Sequence, residues 1–525
     1  MNRFKNIKGT RFVYLLILQA LFLLINKHDA QAQNADQVEL LNANTLSYDE
    51  QQGGKIRKLI GEVIFKQNNA ILYCDSAYQY TELNIIDAYS NVHIKQGDTL
   101  DLYGQFLHYS GNDRKARLEK KVRMKDPKMT LTTEFLDYDL NKSEASYSTG
   151  GKIVDQTNTL VSKKGIYYSS QKKFFFRKDV VLNNPDYRMI CDSLIYNTQN
   201  KTAYFTGPTN IFGKEEKIYC ENGWYDTEHD ISQFSKHAIL TKQEQILTSD
   251  SMYYDAKQGK GRAFMHVTLK DTVQKILIQG NYAEFVKPPG RKKDEHIGEK
   301  LFVTQEAMLT KAFEKDSLFL HADTLFSNFD STGLHRVLYA YHHVKMFKPD
   351  MRGKCDSLAY HFSDSSIRMF NDPVIWTDKN QLTGDLIQIQ LAHQKIDKMF
   401  LFNSSFVISL EDTGRYNQVK GKNMTAYFKD NEMYKMYVEG NGQTIYYVRN
   451  DKKELMGVNR ADCSHILLLV KENKVQKITL IKSPEATFYP IDELPLSDLL
   501  LKGFNWQYED QPQSKADIFI WKNKP

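Results

Sequence analysis

The sequence predicts an all-β fold, an elongated solenoid of about fourteen stacked rungs. A phrase of the form apolar-x-small-Asp-x-apolar-x-Tyr recurs along the chain, and its first copies are 28 to 31 residues apart. The chain also holds 31 Tyr and 29 Phe in short apolar–polar alternations, which are typical of β-strands. A repeat that holds only two short strands cannot bury a face alone, so the copies are expected to stack.

The first 32 residues have the features of a secretory signal peptide. A basic start is followed by an apolar run over 12–25 and by the small residues of Ala30-Gln31-Ala32. We therefore expect cleavage after Ala32 and a mature N-terminus at Gln33. A retained membrane anchor is the alternative, but the run is shorter than the roughly 20 residues that a spanning helix needs.

Charge and cysteine content exclude two classes of protein. The leader carries five basic residues and one acid, and so accounts for four of the six net positive charges. The remaining chain lacks the basic character of a nucleic-acid-binding protein. Five cysteines in an exported chain are too few for a disulfide scaffold. Cys191 and Cys220 lie one repeat apart, which leaves open either a disulfide or, as we favour, buried free thiols.

Aligning the copies on the Asp of the phrase, here called the anchor, places equivalent residues in columns. An apolar column two residues after the anchor contains Leu46, Leu107, Leu136, Ile166, Leu194, Met252, Leu325, Leu358 and Ile387. An aromatic column four residues after it includes Tyr138, Tyr168, Tyr196, Tyr254 and Tyr360. Because stacked strands lie about 4.8 Å apart, such columns become side-chain ladders. They form either a dry core or an open apolar lane for a lipid tail, and the columns alone do not distinguish the two.

Each repeat has a second half with its own pattern. It ends in apolar-x-apolar, as in Val92-x-Ile94 and Val267-x-Leu269, and polar turn residues follow. Counted as one strand spacing per repeat, fourteen repeats would extend about 65 Å.

No catalytic or metal-binding motif stands out. Acids at the anchor of successive repeats, Asp192, Glu221 and Asp250, are compatible with a β-helical polysaccharide-active enzyme. The favoured interpretation is corner-forming chemistry, in which the carboxylate accepts nearby N–H groups. The histidines at 335, 342, 343 and 361 have no ligand spacing that completes a metal site, so we expect neither metal nor cofactor.

The repeat phrase, followed by a turn and Val-x-Ile or Val-x-Leu, resembles the OstA/LptA family from about Val38 to Ile481. The resemblance implies a β-jellyroll, or β-taco, of V-shaped rungs with lipid A acyl chains in its apolar groove. It also implies a non-enzymatic lipopolysaccharide-transport protein of the Gram-negative periplasm, with peripheral association with the outer membrane as an option. Other Lpt-type proteins would be partners through edge-strand pairing, and the apolar and tyrosine columns would line the groove. A structural or adhesive surface solenoid remains a further alternative.

The chain departs from the family in length, and the repeats suggest five segments. These are the signal peptide 1–32, a first solenoid part 33–285, a basic exposed loop 286–300, a second solenoid part 301–485 and a non-repeat tail 486–525. We expect the tail to cover the C-terminal edge of the stack. The N-terminal edge, around Leu46, would then be the docking edge for another β-taco protein.

Overall fold

The computed structural model describes residues 37–48, 55–98, 100–288, 290, 296–393, 395–472, 474–490 and 495–521. The predicted signal peptide lies outside these residues, as do residues 289 and 291–295 of the predicted basic loop. The chain divides into two compact units, Met1–Lys172 (unit 1) and Lys173–Pro525 (unit 2). Within the described ranges, no helix has the length and apolar character needed to cross a membrane.

Unit 1 is built from antiparallel strands joined by short turns, and the first two strands both pair with the third. Its strands are β1 Glu39–Asn42, β2 Thr45–Tyr48, β3 Ile56–Gln67, β4 Ala70–Tyr80, β5 Ile85–Gln96, β6 Leu100–Ser110, β7 Lys115–Lys125, β8 Thr130–Asp139, β9 Glu144–Tyr147, β10 Gly151–Val154, β11 Thr159–Ser162 and β12 Lys164–Tyr168.

Unit 2 continues the same antiparallel pattern and adds three short 3-10 helices, Leu496–Leu499, Tyr508–Asp510 and Ala516–Phe519. Its strands are β13 Lys173–Asn183, β14 Arg188–Asn197, β15 Thr202–Phe212, β16 Glu216–Asp226, β17 Ile231–Lys242, β18 Gln245–Asp255, β19 Lys260–Asp271, β20 Ile276–Val286, β21 Lys300–Thr304, β22 Met308–Ala312, β23 Ser317–His321, β24 Thr324–Phe329, β25 Arg336–Lys348, β26 Met351–His361, β27 Ser366–Phe370, β28 Val374–Thr377, β29 Asn380–Thr383, β30 Leu386–Ala392, β31 Lys395–Phe402, β32 Ser405–Asp412, β33 Arg415–Gly421, β34 Asn423–Lys429, β35 Glu432–Arg449, β36 Leu455–Lys471, β37 Lys474–Ile481 and β38 Glu485–Pro490.

Each repeat contributes two antiparallel strands. The anchor residues Asp75 and Gln105 lie on β4 and β6, and the intervening strand β5 pairs with both. The β-solenoid prediction is confirmed, but one repeat advances the stack by two strand spacings, about 9.6 Å. The expected advance of one spacing per repeat is therefore half of the advance that this strand pairing gives.

Every long strand bends at a corner in its middle, and this bend creates two arms. On the intervening strands the corner is a pair of residues with positive φ, such as Ser90 (61°) and Asn91 (47°) on β5. The pairing of β5 with β4 shifts register at that point, between Tyr73 and Ser76, as a bulge does. The half of each anchor strand that follows the anchor, together with the strand halves paired to it, is here called arm A. The half that precedes the anchor, together with the strand halves paired to it, is called arm B.

The anchor side chain explains why an acid recurs at the corner. Asp75 Oδ2 accepts a 2.8 Å hydrogen bond from Nδ2 of Asn91, the second corner residue of the next strand. Asp250 contacts Nδ1 of His266 at 2.9 Å in the same way. The side chain thus joins two neighbouring corners, which supports the corner-forming interpretation of the acidic column.

Candidate lipid-binding groove

The inner faces of the two arms in unit 1 pack directly against each other. Leu107, Leu118 and Leu136 form a ladder on arm A, and each is at most 1% exposed. A cavity between the arms next to Phe65 and Tyr109 has a volume of about 20 Å³, room for about one water molecule. In unit 1 the columns therefore form a dry core.

The mouth of unit 1, where the arms meet at the ends away from the corners, is crossed by tyrosine side chains. Tyr138 Oη on arm A donates a 2.6 Å hydrogen bond to Oε1 of Gln96, at the end of arm B. Tyr109 Oη donates to Gln67 Oε1 in the same manner. Tyr167 Oη lies 3.5 Å from Asp126 Oδ2, at the limit of a hydrogen bond.

The interior of unit 2 is more open over strands β15 to β19. Its arm B ladder there consists of residues that are only half-buried: Ile211, Ile218, Leu240, Leu247 and Leu269. The matching ladder of unit 1 is buried, with Leu102 1% and Met124 0% exposed. On the opposite wall Tyr254 is 40% exposed, whereas Tyr138 is 3% exposed. We call these five residues of arm B the apolar lane. It spans four strand spacings, about 19 Å.

The predicted apolar column lies deeper than the lane, next to the corners. Seven of its members are buried at 0–6% exposure: Leu107, Leu136, Leu194, Met252, Leu325, Leu358 and Ile387. Leu46 differs, since it lies on the terminal strand β2 and is 38% exposed. The tyrosines Tyr196, Tyr254 and Tyr360 lie on arm A of unit 2, two residues nearer the mouth than the column. The column forms the floor of the groove.

The alignment of the fifth copy was wrong by one residue. Ala145 pairs with Tyr138 on one side and with Tyr167, rather than Tyr168, on the other. Tyr167 is 4% exposed, whereas Ile166 and Tyr168 are only half-buried on the opposite face. A one-residue shift exchanges the two faces of a strand. It arose because β11 and β12 are separated at residue 163, so the corner precedes the predicted anchor Lys164.

Three of the lane residues, Ile211, Leu240 and Leu269, lie on the intervening strands, away from the anchor phrase. The apolar-x-apolar ending of the second half-repeat is the sequence signal for them. The other two, Ile218 and Leu247, stand three residues before an anchor. The lane residues differ from the core residues in how exposed their side chains are, and these sequence patterns do not predict that exposure.

The C-terminal segment 495–521, here called the strap, packs on the outer face of arm B in unit 2. Phe406 and Ile408 flank Val407, which pairs with the inward-facing Leu382, so their side chains point outward. They form a buried cluster with Leu499 and Leu501 of the strap. At its far end the strap reaches β23, where Phe519 packs on His321 with ring centroids 4.4 Å apart.

Polar side chains of the sheet bind the strap backbone. Gln381 Nε2 donates to the Asn505 carbonyl at 2.7 Å, and Gln381 Oε1 accepts from the Gln507 N–H at 2.7 Å. Lys345 Nζ donates to the Ile520 carbonyl at 2.6 Å. Gln381 and Lys345, the side chains that bind the strap at these points, are themselves buried.

The strap does not cover the C-terminal edge of the stack, which corrects the expected role of the tail. Strands β37 and β38 pair with β36 on one side, and within the described residues no strand pairs with their other side. The same holds at the N-terminal end for β1 and β2 beyond β3. Apolar side chains are exposed at both edges, with Leu41 and Phe488 each at 49%. The two terminal edges are therefore alike in lacking a paired neighbour among the described residues, and the N-terminal edge is not singled out for docking.

A larger concavity, about 840 Å³, lies outside the groove in unit 1. Its lining includes Lys121, Arg123 and Lys152 and opens widely to solvent. The charged lining makes it a poor receptor for acyl chains, so volume alone does not identify the lipid site.

Cysteine, histidine and acidic side chains have structural surroundings. The five cysteines are buried and free, and strand β15 separates Cys191 from Cys220 by two strand spacings, beyond the reach of a disulfide. Burial raises the pKa of Cys191 to about 12. Nδ1 of His342 and Nδ1 of His343 contact different acids, Asp356 and Asp323, at 3.2 and 2.8 Å. Within the described residues no group of three metal-ligating side chains occurs.

Comparison with known proteins finds a family match over part of the chain. Residues 35–192 match the sequence profile of the family described as OstA-like protein. A solved structure described as LptH, the LptA-homologous periplasmic component of the lipopolysaccharide transport device from Pseudomonas aeruginosa, is 15% identical. Its match covers 25% of this chain and 83% of that chain, with a TM-score of 0.21. No curated protein matches the chain.

Proposed function

Because residues 35–192 of this chain are OstA-like, we propose that the protein is a non-enzymatic lipopolysaccharide-binding and transport protein of the periplasm. Acyl chains of lipid A would lie in the groove between the two arms, with peripheral association with the outer membrane as an option. The apolar lane of unit 2 carries the proposal, since it is the stretch where bulky aliphatic side chains remain half-buried.

The lane suits acyl chains for a physical reason. Five aliphatic side chains on adjacent strands form one continuous strip, and no charged residue interrupts it on the inner face. Covering such a strip with a hydrocarbon chain gains about 25 cal/mol for each Å² removed from water. The floor beneath it, Met252 and Phe234, is already packed, so lipid would lie along the lane without displacing the core.

A photo-crosslinking residue at Leu240 tests the proposal. With purified protein and lipid A in mixed micelles, Leu240 should capture lipid. Ile239 is the matched control, because it is the adjacent residue, is also half-buried and faces the outer side of the same strand. Equal capture at both positions would contradict a groove site. Labelling at Met252 should be weak, since that side chain is 6% exposed.

Partners would join at the edges of the stack. Both terminal edges present unpaired strands among the described residues, and an added strand can extend an open sheet edge. We propose Lpt-type β-taco proteins as those partners, because strand addition would align the two grooves.

A further inference from the structure

The tyrosine contacts across the mouth of unit 1 repeat with the sequence. Tyr109 reaches Gln67 and Tyr138 reaches Gln96, and each pair is separated by 42 residues. Tyr167 approaches Asp126, which is 41 residues away. Each pair therefore joins a tyrosine on arm A to a residue at the end of arm B, and the spacing between the two residues is nearly the same in each pair.

At the lane of unit 2 the tyrosine contacts differ. There the hydroxyl of Tyr225 donates a 3.0 Å hydrogen bond to Asp230, five residues further along the same arm, and its ring contacts Tyr187 on arm B edge-on, with centroids 5.8 Å apart. Tyr254, the next tyrosine of that column, is 40% exposed. The interior is filled where tyrosine hydroxyls donate across the mouth, and the half-buried lane lies where Tyr225 donates along its own arm and Tyr254 is exposed.

The contacts are suited to opening and closing. Burial raises the pKa of Tyr109 and of Tyr138, so both hydroxyls stay protonated and remain donors over the physiological pH range. A single neutral hydrogen bond contributes little net stability, so these contacts across the mouth can break without unfolding the strands that carry the tyrosines.

We propose that Tyr109, Tyr138 and Tyr167 form a latch that keeps lipid out of unit 1, so that acyl chains enter at the lane of unit 2. The latch is thus a determinant of where the groove accepts lipid, and it rests on the proposed function. Gln67, Gln96 and Asp126 are its acceptors on the opposite arm.

The test compares two photo-crosslinking positions on the same ladder of arm B. Ile94 lies in unit 1 beneath the latch and is 5% exposed, and Leu240 is its equivalent in the lane. In the otherwise unaltered protein, lipid A micelles should label Leu240 and leave Ile94 nearly unlabelled. In Y109F/Y138F, labelling at Ile94 should rise about fivefold for each hydrogen bond removed, and labelling at Leu240 should stay constant.

A locked variant gives the opposite change. Gln96→Cys together with Tyr138→Cys, joined by a short bis-maleimide, ties the arms covalently, and labelling at Ile94 should then fall to background. The same pair left unjoined lacks the Tyr138–Gln96 bond, so it should label Ile94 more strongly than the otherwise unaltered protein does. The buried native thiols do not compete for the reagent.

The outcomes separate the latch from the proposed function. Equal labelling at Ile94 and Leu240 before any substitution, or no rise at Ile94 in Y109F/Y138F, overturns the latch and leaves lipid binding intact. No labelling at either position overturns the proposed function and the latch together. Phenylalanine keeps the ring, and an unchanged circular dichroism melt establishes that the strands remain folded.

Discussion

Leu501 N–H donates a 2.9 Å hydrogen bond to Oε1 of Gln418, and Gln418 Nε2 donates at 2.9 Å to the carbonyl of Leu499, two residues earlier. One side-chain amide thus binds the strap as a neighbouring strand would. Gln418 is fully buried, so water cannot replace the strap backbone as the hydrogen-bond partner of its amide oxygen or nitrogen.

Gln418→Ala should therefore loosen the strap. Leaving a buried N–H and a buried carbonyl unpaired costs about 1–3 kcal/mol. We expect the free energy of opening measured by amide hydrogen exchange at Leu501 to fall by that amount. Exchange in β4 to β8 should change little. Gln476→Ala on the exposed part of β37 is the control and should have no effect on the strap.

Leu107→Ala should destabilise unit 1 by about 2–5 kcal/mol, because a fully buried aliphatic side chain leaves a cavity. Leu46→Ala, in the same column but 38% exposed, should cost much less. Urea unfolding of both variants measures the difference. A similar loss of unfolding free energy in the two variants would mean that the interior of unit 1 is not a packed core.

The end of the strap should respond to pH through His321. Burial lowers the pKa of His321, and its Nδ1 lies 2.8 Å from the Ala307 carbonyl. The unfolded chain therefore takes up a proton at a higher pH than the folded one, so stability falls as pH drops below about 6.5. We expect exchange in 516–521 to increase on acidification. His321→Phe should abolish that increase while keeping a ring against Phe519.

The thiols should be unreactive in the folded protein. Burial raises the pKa of Cys74 to about 12 and of Cys220 to about 11, which leaves almost no thiolate at neutral pH. A thiol reagent should label the described cysteines only after denaturant is added. Rapid labelling of Cys220 in buffer would show that the arms separate there.

Leu46→Pro should reduce capture of envelope partners if the N-terminal edge docks, because proline removes a ladder donor from β2. Deleting the strap should leave that capture unchanged, since it packs on β23 to β36. Ile478→Pro on β37 examines the opposite edge. Loss of capture with Ile478→Pro alone would assign docking to the C-terminal end.

Much of the fold could be predicted because it is local and periodic. Alternation and the repeat phrase locate β4 and β6 and identify Leu107 as an inward residue, since both depend on near neighbours in sequence. The corner pairs, such as Ser90 and Asn91, are polar residues with no special chemistry. Their bend becomes evident only when two strands are paired.

The remaining features depend on contacts between distant residues. Gln418 and Leu501 are 83 residues apart, and nothing in the tail repeats a pattern that the sheet also carries. The open lane and the latched core share one column pattern, so the sequence does not separate Leu240 from Ile94. That difference depends on how closely the arms approach.

The strap also constrains the order of events during biosynthesis. Residues 495–521 follow in sequence every strand they cover, so Phe406, Ile408 and Val458 stay uncovered until the strap packs on them. A nascent chain halted before residue 495 would display an aggregation-prone aliphatic and aromatic surface. Holdase chaperones would recognise that surface, and arrival of the strap would end their access.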